Sequence, residues 1–539
     1  MATITLPRIE VREERSLLVR RAMYWLPLAL ILAVQCALTV RLIPNGYASN
    51  DEGRYIDAGH ALIYEFWHGG GSPYYETYFS GAPVIYSPLA AMADYVGGLA
   101  AVRLMSTVYM LCSTIMMFLT GKRLFGYWTA VVSCALYAGL SLTQFVGRNA
   151  IYDALALMLL TVASYCASRS REARWLLLVP VALLAADAAK YIVLLFNPTV
   201  ILLAAYQVKG VRAQIERVLV LGATTGLLLL LAVFLAGTSY LQGILFTTIA
   251  RKSGFNALLS AVPASPHVIV NEAWNWFGLV VVMSFAAALV AWLLPRERSK
   301  AWLLLTFAVT TTLVTLEALH LGSDESTGRH DAFGAWFGCL AAGYVLVLLA
   351  RLLPWRPARW VVVAGIAGLI GFSGALYTAG ARTFQNHGAS AIETEESVSL
   401  PGVVAILRPY ILSNRRYLLG GNYDYSIIYS DHADPNWWNL WDDNYIKYPI
   451  PGRGGDWHGI ARGRVCAKEL PGCMYLGGDN GFIAAIQAHA FAVISVTRFE
   501  FSQDFAIRDA AEHTPGYVLL TTSGGGPTWI YAKDYRHSG

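Results

Sequence analysis

Charge is scarce in this chain. Only 14% of its 539 residues are Asp, Glu, Lys or Arg, against about a quarter in an ordinary soluble protein. Hydrophobic residues make up 56%, and the mean hydropathy is +0.47. A wholly soluble fold is thereby excluded. Other absences narrow the function. There is no Walker loop, no Rossmann glycine fingerprint after a strand, no Gly-x-Ser-x-Gly and no His-Glu-x-x-His, so the usual nucleotide, hydrolase and zinc-protease chemistries lack their motifs. No basic, aromatic-interleaved patch offers a nucleic-acid surface. Internal repeats and low-complexity tracts are missing too. Cysteine is sparse, with seven in all. Cys36, Cys112, Cys134, Cys166 and Cys339 lie in apolar runs and read as packing residues. Cys466 and Cys473 lie in the polar tail, where a disulfide is plausible if the tail meets an oxidising compartment.

What is present is apolar sequence in long runs. They predict about eleven spans, near 22–42, 84–120 (one span with its approach), 126–146, 150–167, 175–189, 191–206, 217–237, 275–294, 301–318, 332–350 and 359–379. The segments near 175–206 are short and could form one kinked hairpin. The first run lacks a small-x-small cleavage site, and Gln35 spoils a lipoprotein box, so a retained signal anchor is expected. Lys and Arg set the orientation. Arg8, Arg12, Arg15, Arg20 and Arg21 place the N-terminus in the cytoplasm, and alternate basic loops join it there. The loop from Leu42 to Ser80 then lies outside. An odd number of spans puts residues 381–539 outside as well.

After about Ala381 the chain gains charge, glycine and turn signals. Strand-like runs appear at Tyr417–Leu419, Phe491–Val496, Tyr517–Leu520 and Thr528–Tyr531, with a helical run over Leu400–Ile411 before them. The expected fold is a polytopic α-helical membrane protein with a C-terminal extracytoplasmic α/β domain. Residues 1–380 form the membrane module, with its first outer loop over 43–83, and 381–539 the soluble domain. A plasma (inner) membrane suits this plan.

The candidate chemistry begins at Asp51 and Glu52, which follow the first span. A carboxylate pair just outside a membrane body suits general-base work on a substrate taken from lipid. Both also suit a helix start electrostatically, and Ser49 with Glu52 fits a capping box. Tyr55, Ala58, Leu62 and Phe66 recur at helical spacing, which predicts a helix lying in the interface. Arg148 could grip a phosphate with its fork or snorkel to headgroups. Asp153 is a carboxylate entering a span, which usually has a purpose. Lys190 could neutralise a lipid phosphate or form a local salt bridge with Asp187. Arg251 and Lys252 lie in the loop near 238–274. Arg329 and His330 lie in a charge-dense run and could contact phosphate or sugar. His320, His330 and Asp324 match no familiar ligand spacing, so a divalent metal is possible but not favoured, and no cofactor is required. Trp437, Trp438 and Trp441 suit sugar stacking or docking of the tail on the membrane body, with docking favoured.

Asp51-Glu52-Gly53-Arg54-Tyr55 resembles the Asp-Glu-x-x-Tyr element of the GT-C superfamily of membrane glycosyltransferases, in particular the protein O-mannosyltransferase and aminoarabinose-transferase group. Arg103-Leu104, the pair Arg148 and Asp153, and the stretch ending in Lys190-Tyr191 resemble later elements of that group. One departure stands out. Many bacterial members carry Lys-Pro-Pro in the first outer loop, whereas this chain has Ala82-Pro83-Val84-Ile85-Tyr86-Ser87-Pro88. Lys190, Arg251 or Arg329 would then supply the missing cation. The resemblance implies an inverting transfer of sugar from a polyprenyl phosphate to an acceptor hydroxyl on protein, lipid or cell-wall glycan. Asp51 would be the base, Glu52 its orienting neighbour, and Arg54, Tyr55, Arg148, Asp153, Lys190, Arg251, Arg329 and His330 the substrate contacts. Three rivals remain: a flippase of lipid-linked sugars, which usually shows paired halves; an en-bloc oligosaccharyltransferase; and a membrane-anchored binding protein, whose isolated tail would bind glycan.

Overall fold

The computed structural model describes residues 10–43, 48, 50–69, 79–237, 240–241, 244, 265–322, 327–352 and 365 of the membrane part. In the tail it describes 406–410, 415–419, 440–442, 446, 448–455, 464–466, 468–496, 502–522 and 527–534. The expected boundary near 380, the eleventh expected span, Arg251, Asp324, Trp437 and Trp438 lie outside these residues.

The chain is a multi-pass membrane protein. Among the described residues six helices are long and apolar enough to cross a bilayer, or seven if a bent pair counts as one span. Helix α1 is Glu10–Val40 and α2 is Asn50–His68. Helix α3, Pro83–Phe125, has 43 residues and would reach about 65 Å, twice the hydrocarbon thickness. It is interrupted at Gly97 and Gly98. Gly98 sits at φ 64°, a conformation that side chains resist. The break divides an approach segment from the span proper.

Next come α4, Tyr127–Gly139, and α5, Ser141–Arg148, bent by 63°. The sequence predicts one span here, near 126–146. Leu140 is extended instead, between Gly139 and Ser141, the kind of pair at which helices kink. Then follow α6, Asp153–Ser168, α7, Ala173–Ala189, a 3-10 turn over Tyr191–Phe196 and α8, Asn197–Tyr206. Lys190 divides α7 from the 3-10 turn in extended conformation. After α9, Val211–Ala236, the chain forms α10, Pro266–Leu293, capped by Ser265 and opened by Pro266. Helices α11, Arg298–Thr311, α12, Leu313–Leu321, and α13, Thr327–Leu352, complete the described membrane part.

Similar hydropathy leads to opposite fates in α9 and α13. The apolar window of α13 is 94% buried and that of α9 only 11%. Helix α13 is rich in small residues, and a Cβ on its Gly343 would come within 2.2 Å of Ser133 Oγ on α4. Small residues let helix backbones approach closely where lipid supplies no hydrophobic drive. The glycines of α9, Gly222 and Gly226, face open space, and Leu219, Leu227, Leu230, Leu231 and Leu235 are exposed.

In the tail, strands β1 (Arg416–Leu419), β2 (Leu440–Asp442), β6 (Phe491–Ser495), β7 (Tyr517–Thr521) and β8 (Thr528–Tyr531) form a mixed sheet in the order β2-β1-β6-β8-β7. Strand β1 runs parallel to β2 and β6, whereas β8 is antiparallel to β6 and β7. Strand β6 is buried throughout, as a central strand should be. Helices Gly478–Gln487 and Ser502–His513 contribute Phe482, Ile486 and Ile507 to the core beside Ile494 and Trp529. A small second sheet joins β3 (Tyr448–Pro449), β4 (Arg464–Cys466) and β5 (Cys473–Leu476). Cys466 and Cys473 form a disulfide.

Candidate active site

Helix α2 carries the acidic pair. Its apolar spacing predicts an interfacial helix, yet residues 52–59 are buried on every side. Helix α3 packs along it, and the turn before α6 closes over it, with the Tyr55 and Tyr152 rings 4.5 Å apart. Only the last turns, where Phe66 and Trp67 are exposed, keep an interfacial character.

Glu52 and Asp51 have different partners. Glu52 is sealed in. Arg103 Nε donates to its Oε1 at 2.9 Å and Arg103 Nη2 to its Oε2 at 2.7 Å. The Ala150 backbone N–H adds a third bond at 2.6 Å, and Arg103 Nη1 reaches the Ile43 carbonyl at 2.9 Å. One carboxylate thus ties α2 to α3, to the end of the first span and to the turn before α6. Asp51 turns the other way, and its Oδ2 accepts from Arg329 Nη1 at the start of α13. Its side chain keeps 30% exposure and that of Arg329 keeps 23%. Burial would raise the Asp51 pKa. The charge and hydrogen bond of Arg329, with Arg54 and Lys190 behind them, outweigh it and hold the carboxyl below its usual range. Tyr55, one turn on, is pushed well above the ordinary phenol value, first by burial and then by the Asp51 charge. It therefore stays a neutral hydrogen-bonding group.

A second pair stands beside the first. Lys190 Nζ donates to Asp153 Oδ1 at 2.5 Å, both side chains being almost fully buried. Lys190 also lies 4.6 Å from the Tyr152 ring centre. His330 Nε2 is 3.8 Å from Asp153 Oδ1. Asp187 does not bridge Lys190 but accepts from Asn197 at 2.8 Å. Lys190 reaches the site because of the extended backbone there. The Ala82 N–H donates to the Ala188 carbonyl at 2.7 Å and the Tyr191 N–H to the Ser80 carbonyl at 2.8 Å. A Cβ on Gly81 would strike the Ala189 carbonyl oxygen. The segment Ser80–Ala82 thus lies directly against the backbone of Lys190.

The structure brings together Asp51, Arg54, Tyr55, Asp153, Lys190, Arg329 and His330 from four separated stretches of chain. Arg148 is buried at the end of α5, just before the backbone that meets Glu52. Two acids, Asp57 and Asp94, go unnoticed in the sequence, and a third, Asp331, is read there only as the end of a charge-dense run. Asp57 is buried on α2, and burial pushes it up to about 7 against the charges of His60 and Arg54. His60 bonds Asp94 at 2.8 Å. Asp331 is fully buried in α13 beside Thr315. A carboxylate inside a span was the available signal for the last of these.

No family model matches this sequence, and no curated protein matches it. Solved structures do. ArnT from Cupriavidus metallidurans bound to undecaprenyl phosphate is 12% identical with a TM-score of 0.53, over 93% of this chain and 97% of that one. The archaeal oligosaccharyltransferase AglB from Archaeoglobus fulgidus, in complex with an inhibitory peptide and a dolichol-phosphate, is 12% identical with a TM-score of 0.51, over 95% and 74%. At this identity the likeness is one of fold, and the fold is that of the GT-C membrane glycosyltransferases.

Proposed function

We propose that the chain is an inverting glycosyltransferase that moves a sugar from a polyprenyl-phosphate donor to an acceptor hydroxyl at the outer face of the plasma (inner) membrane. The observation that carries this reading is the placement of Asp51, a partly open carboxylate, among the cationic side chains Arg329, Arg54 and Lys190 at the head of a GT-C-like bundle. Residues 1–380 are the catalytic module and residues 381–539 an extracytoplasmic domain. The Cys466–Cys473 disulfide favours an oxidising side for the tail.

In this reading Asp51 takes the proton of the acceptor hydroxyl. The freed oxygen attacks the anomeric carbon on the face opposite the phosphate. The bond from that carbon to the phosphate oxygen breaks, and polyprenyl phosphate leaves with the electron pair. Arg329 stabilises the charge that grows on it, with the buried Lys190 charge behind it, and His330 stands beside Asp153 where a sugar hydroxyl could be held. Glu52 acts through position, fixing the first turn of α2 so that Asp51 faces α13. The fold likeness to AglB favours, as a second reading, transfer of a preassembled glycan by the same chemistry.

The test is release of free polyprenyl phosphate from a panel of polyprenyl-phosphate monosaccharides, with an envelope extract as acceptor source. Wild-type protein should release it and Asp51→Asn should not. Equal release by both would remove Asp51 from the chemistry. No release from any donor by folded wild-type protein would shift the weight to en-bloc transfer or to a flippase.

A further inference from the structure

Resting on the glycosyltransferase reading, we propose that Arg329 shuttles between Asp51 and the phosphate of the lipid-linked donor, so that donor binding is what frees Asp51 to act as a base. The molecule contains both a permanent and an exchangeable carboxylate pair for comparison. Glu52 is 0% exposed and has both oxygens engaged by Arg103 and a backbone N–H. The Asp153–Lys190 pair is likewise closed to solvent. Of these three pairs, Asp51–Arg329 is the one that keeps solvent contact on both sides, so a ligand can reach it.

A carboxylate held by a guanidinium is a weak base, because taking a proton costs it the ion pair. General bases work best with a proton affinity matched to the working pH, and Asp51 is held below the ordinary range. Arg329 has a better partner available. Its planar fork matches two phosphate oxygens, and it stands in the first turn of the 26-residue helix α13, where backbone N–H groups also favour an anion. The other charged groups around Asp51 are Arg54 and Tyr55 on its own helix, Tyr152 and Asp153 at the start of α6, Lys190, and His330 beside Arg329. Of these Lys190 is already held by Asp153.

The cycle balances. The donor phosphate takes Arg329, and Asp51 gains proton affinity. Asp51 accepts the acceptor's proton as the new oxygen–carbon bond forms and the carbon–oxygen bond to phosphate breaks. When polyprenyl phosphate departs, Arg329 returns to Asp51, which passes the proton to water. With no donor bound the base stays weak, so water is not activated wastefully.

The test is the affinity of full-length protein in nanodiscs for a short-chain polyprenyl methyl phosphate. This diester carries one charge and does not titrate near neutrality. Asp51→Asn should bind it about tenfold more tightly than wild type, since Arg329 loses its competitor. Arg329→Gln should bind it more weakly. In the double variant the tightening should vanish. A tightening that persists without Arg329 would be a general field effect and would overturn the shuttle, as would no tightening at all. Wild-type protein gives a check independent of folding in the variants. Binding of the diester near pH 5 should take up protons, seen as a buffer-dependent heat, and absence of uptake counts against the shuttle. Either failure leaves the glycosyltransferase reading standing if sugar transfer is observed. Failure of every version to bind the diester, with no release of polyprenyl phosphate, would end both.

Discussion

Asp51 and Glu52 are neighbours in sequence but belong to two different regions. Glu52 points into the seam between α2 and α3, where no solvent reaches and every oxygen is engaged. Asp51 points to the mouth, against the first turn of α13, where solvent still touches it. The chemical group is the same in both, and its surroundings decide its role. A buried, fully bonded carboxylate fixes geometry and cannot change partner without great cost. A partly open one can exchange its partner and can take a proton. The seam makes the mouth possible, because α2 must be clamped before Asp51 can face Arg329 from a defined distance.

The severest way to break this contrast is to attack the seam. Arg103→Met leaves the Glu52 charge buried and unpaired, which costs about 3–5 kcal/mol. Little folded protein should survive purification, as judged by size-exclusion chromatography and melting temperature. Adding Glu52→Leu should restore much of the loss, because two apolar groups of similar volume can replace a buried ion pair. Attacking the mouth should do the opposite. Asp51→Asn should keep a melting temperature near that of wild type while lowering sugar transfer about 10²–10⁴-fold. A variant that lost both fold and activity would erase the distinction.

The smallest expected effect sharpens the contrast with a third carboxylate on the same helix. Asp57 is buried with a pKa pushed up to about 7. Its folded state therefore holds a proton that the unfolded state gives up near pH 4. Stability from this group is full below that value, declines as pH rises, and is lost once pH passes about 7. Wild-type protein should lose more melting temperature between pH 5 and pH 8 than Asp57→Asn does. Equal losses would mean that Asp57 is ionised in the fold throughout.

The membrane plan was legible because apolar length is a strong signal. The expected spans near 22–42, 84–120, 217–237, 275–294, 301–318 and 332–350 fall on helices long and apolar enough to cross, whereas those near 150–167, 175–189 and 191–206 fall on shorter helices, and the unusual length of α3 shows in its sequence as a span with an approach. The bend at Leu140 was not legible, since one apolar residue between Gly139 and Ser141 looks like any other in a continuous run. In the tail the runs at Tyr417, Phe491, Tyr517 and Thr528 stand as strands. The small sheet over Tyr448–Leu476 was hidden because its strands are two to four residues long. Around the site, residue types and their nearness to the membrane could be read. Pairing could not, because Glu52 meets Arg103 across 51 positions and Lys190 meets Asp153 across 37. Local logic suggested Asp187 for Lys190, and the extended backbone at Lys190 sends it elsewhere.

Asp51 and Arg329 are separated by 278 positions. At roughly 5–20 residues per second of synthesis, the carboxylate leaves the ribosome tens of seconds before its guanidinium partner does. Helix α13, threaded last among the described spans, is also the most enclosed of them. A nascent chain therefore holds most of its membrane helices with an unfinished centre. Insertion of α13 supplies the Arg329 guanidinium, so the ion pair at Asp51 closes only after the other described membrane helices have been made.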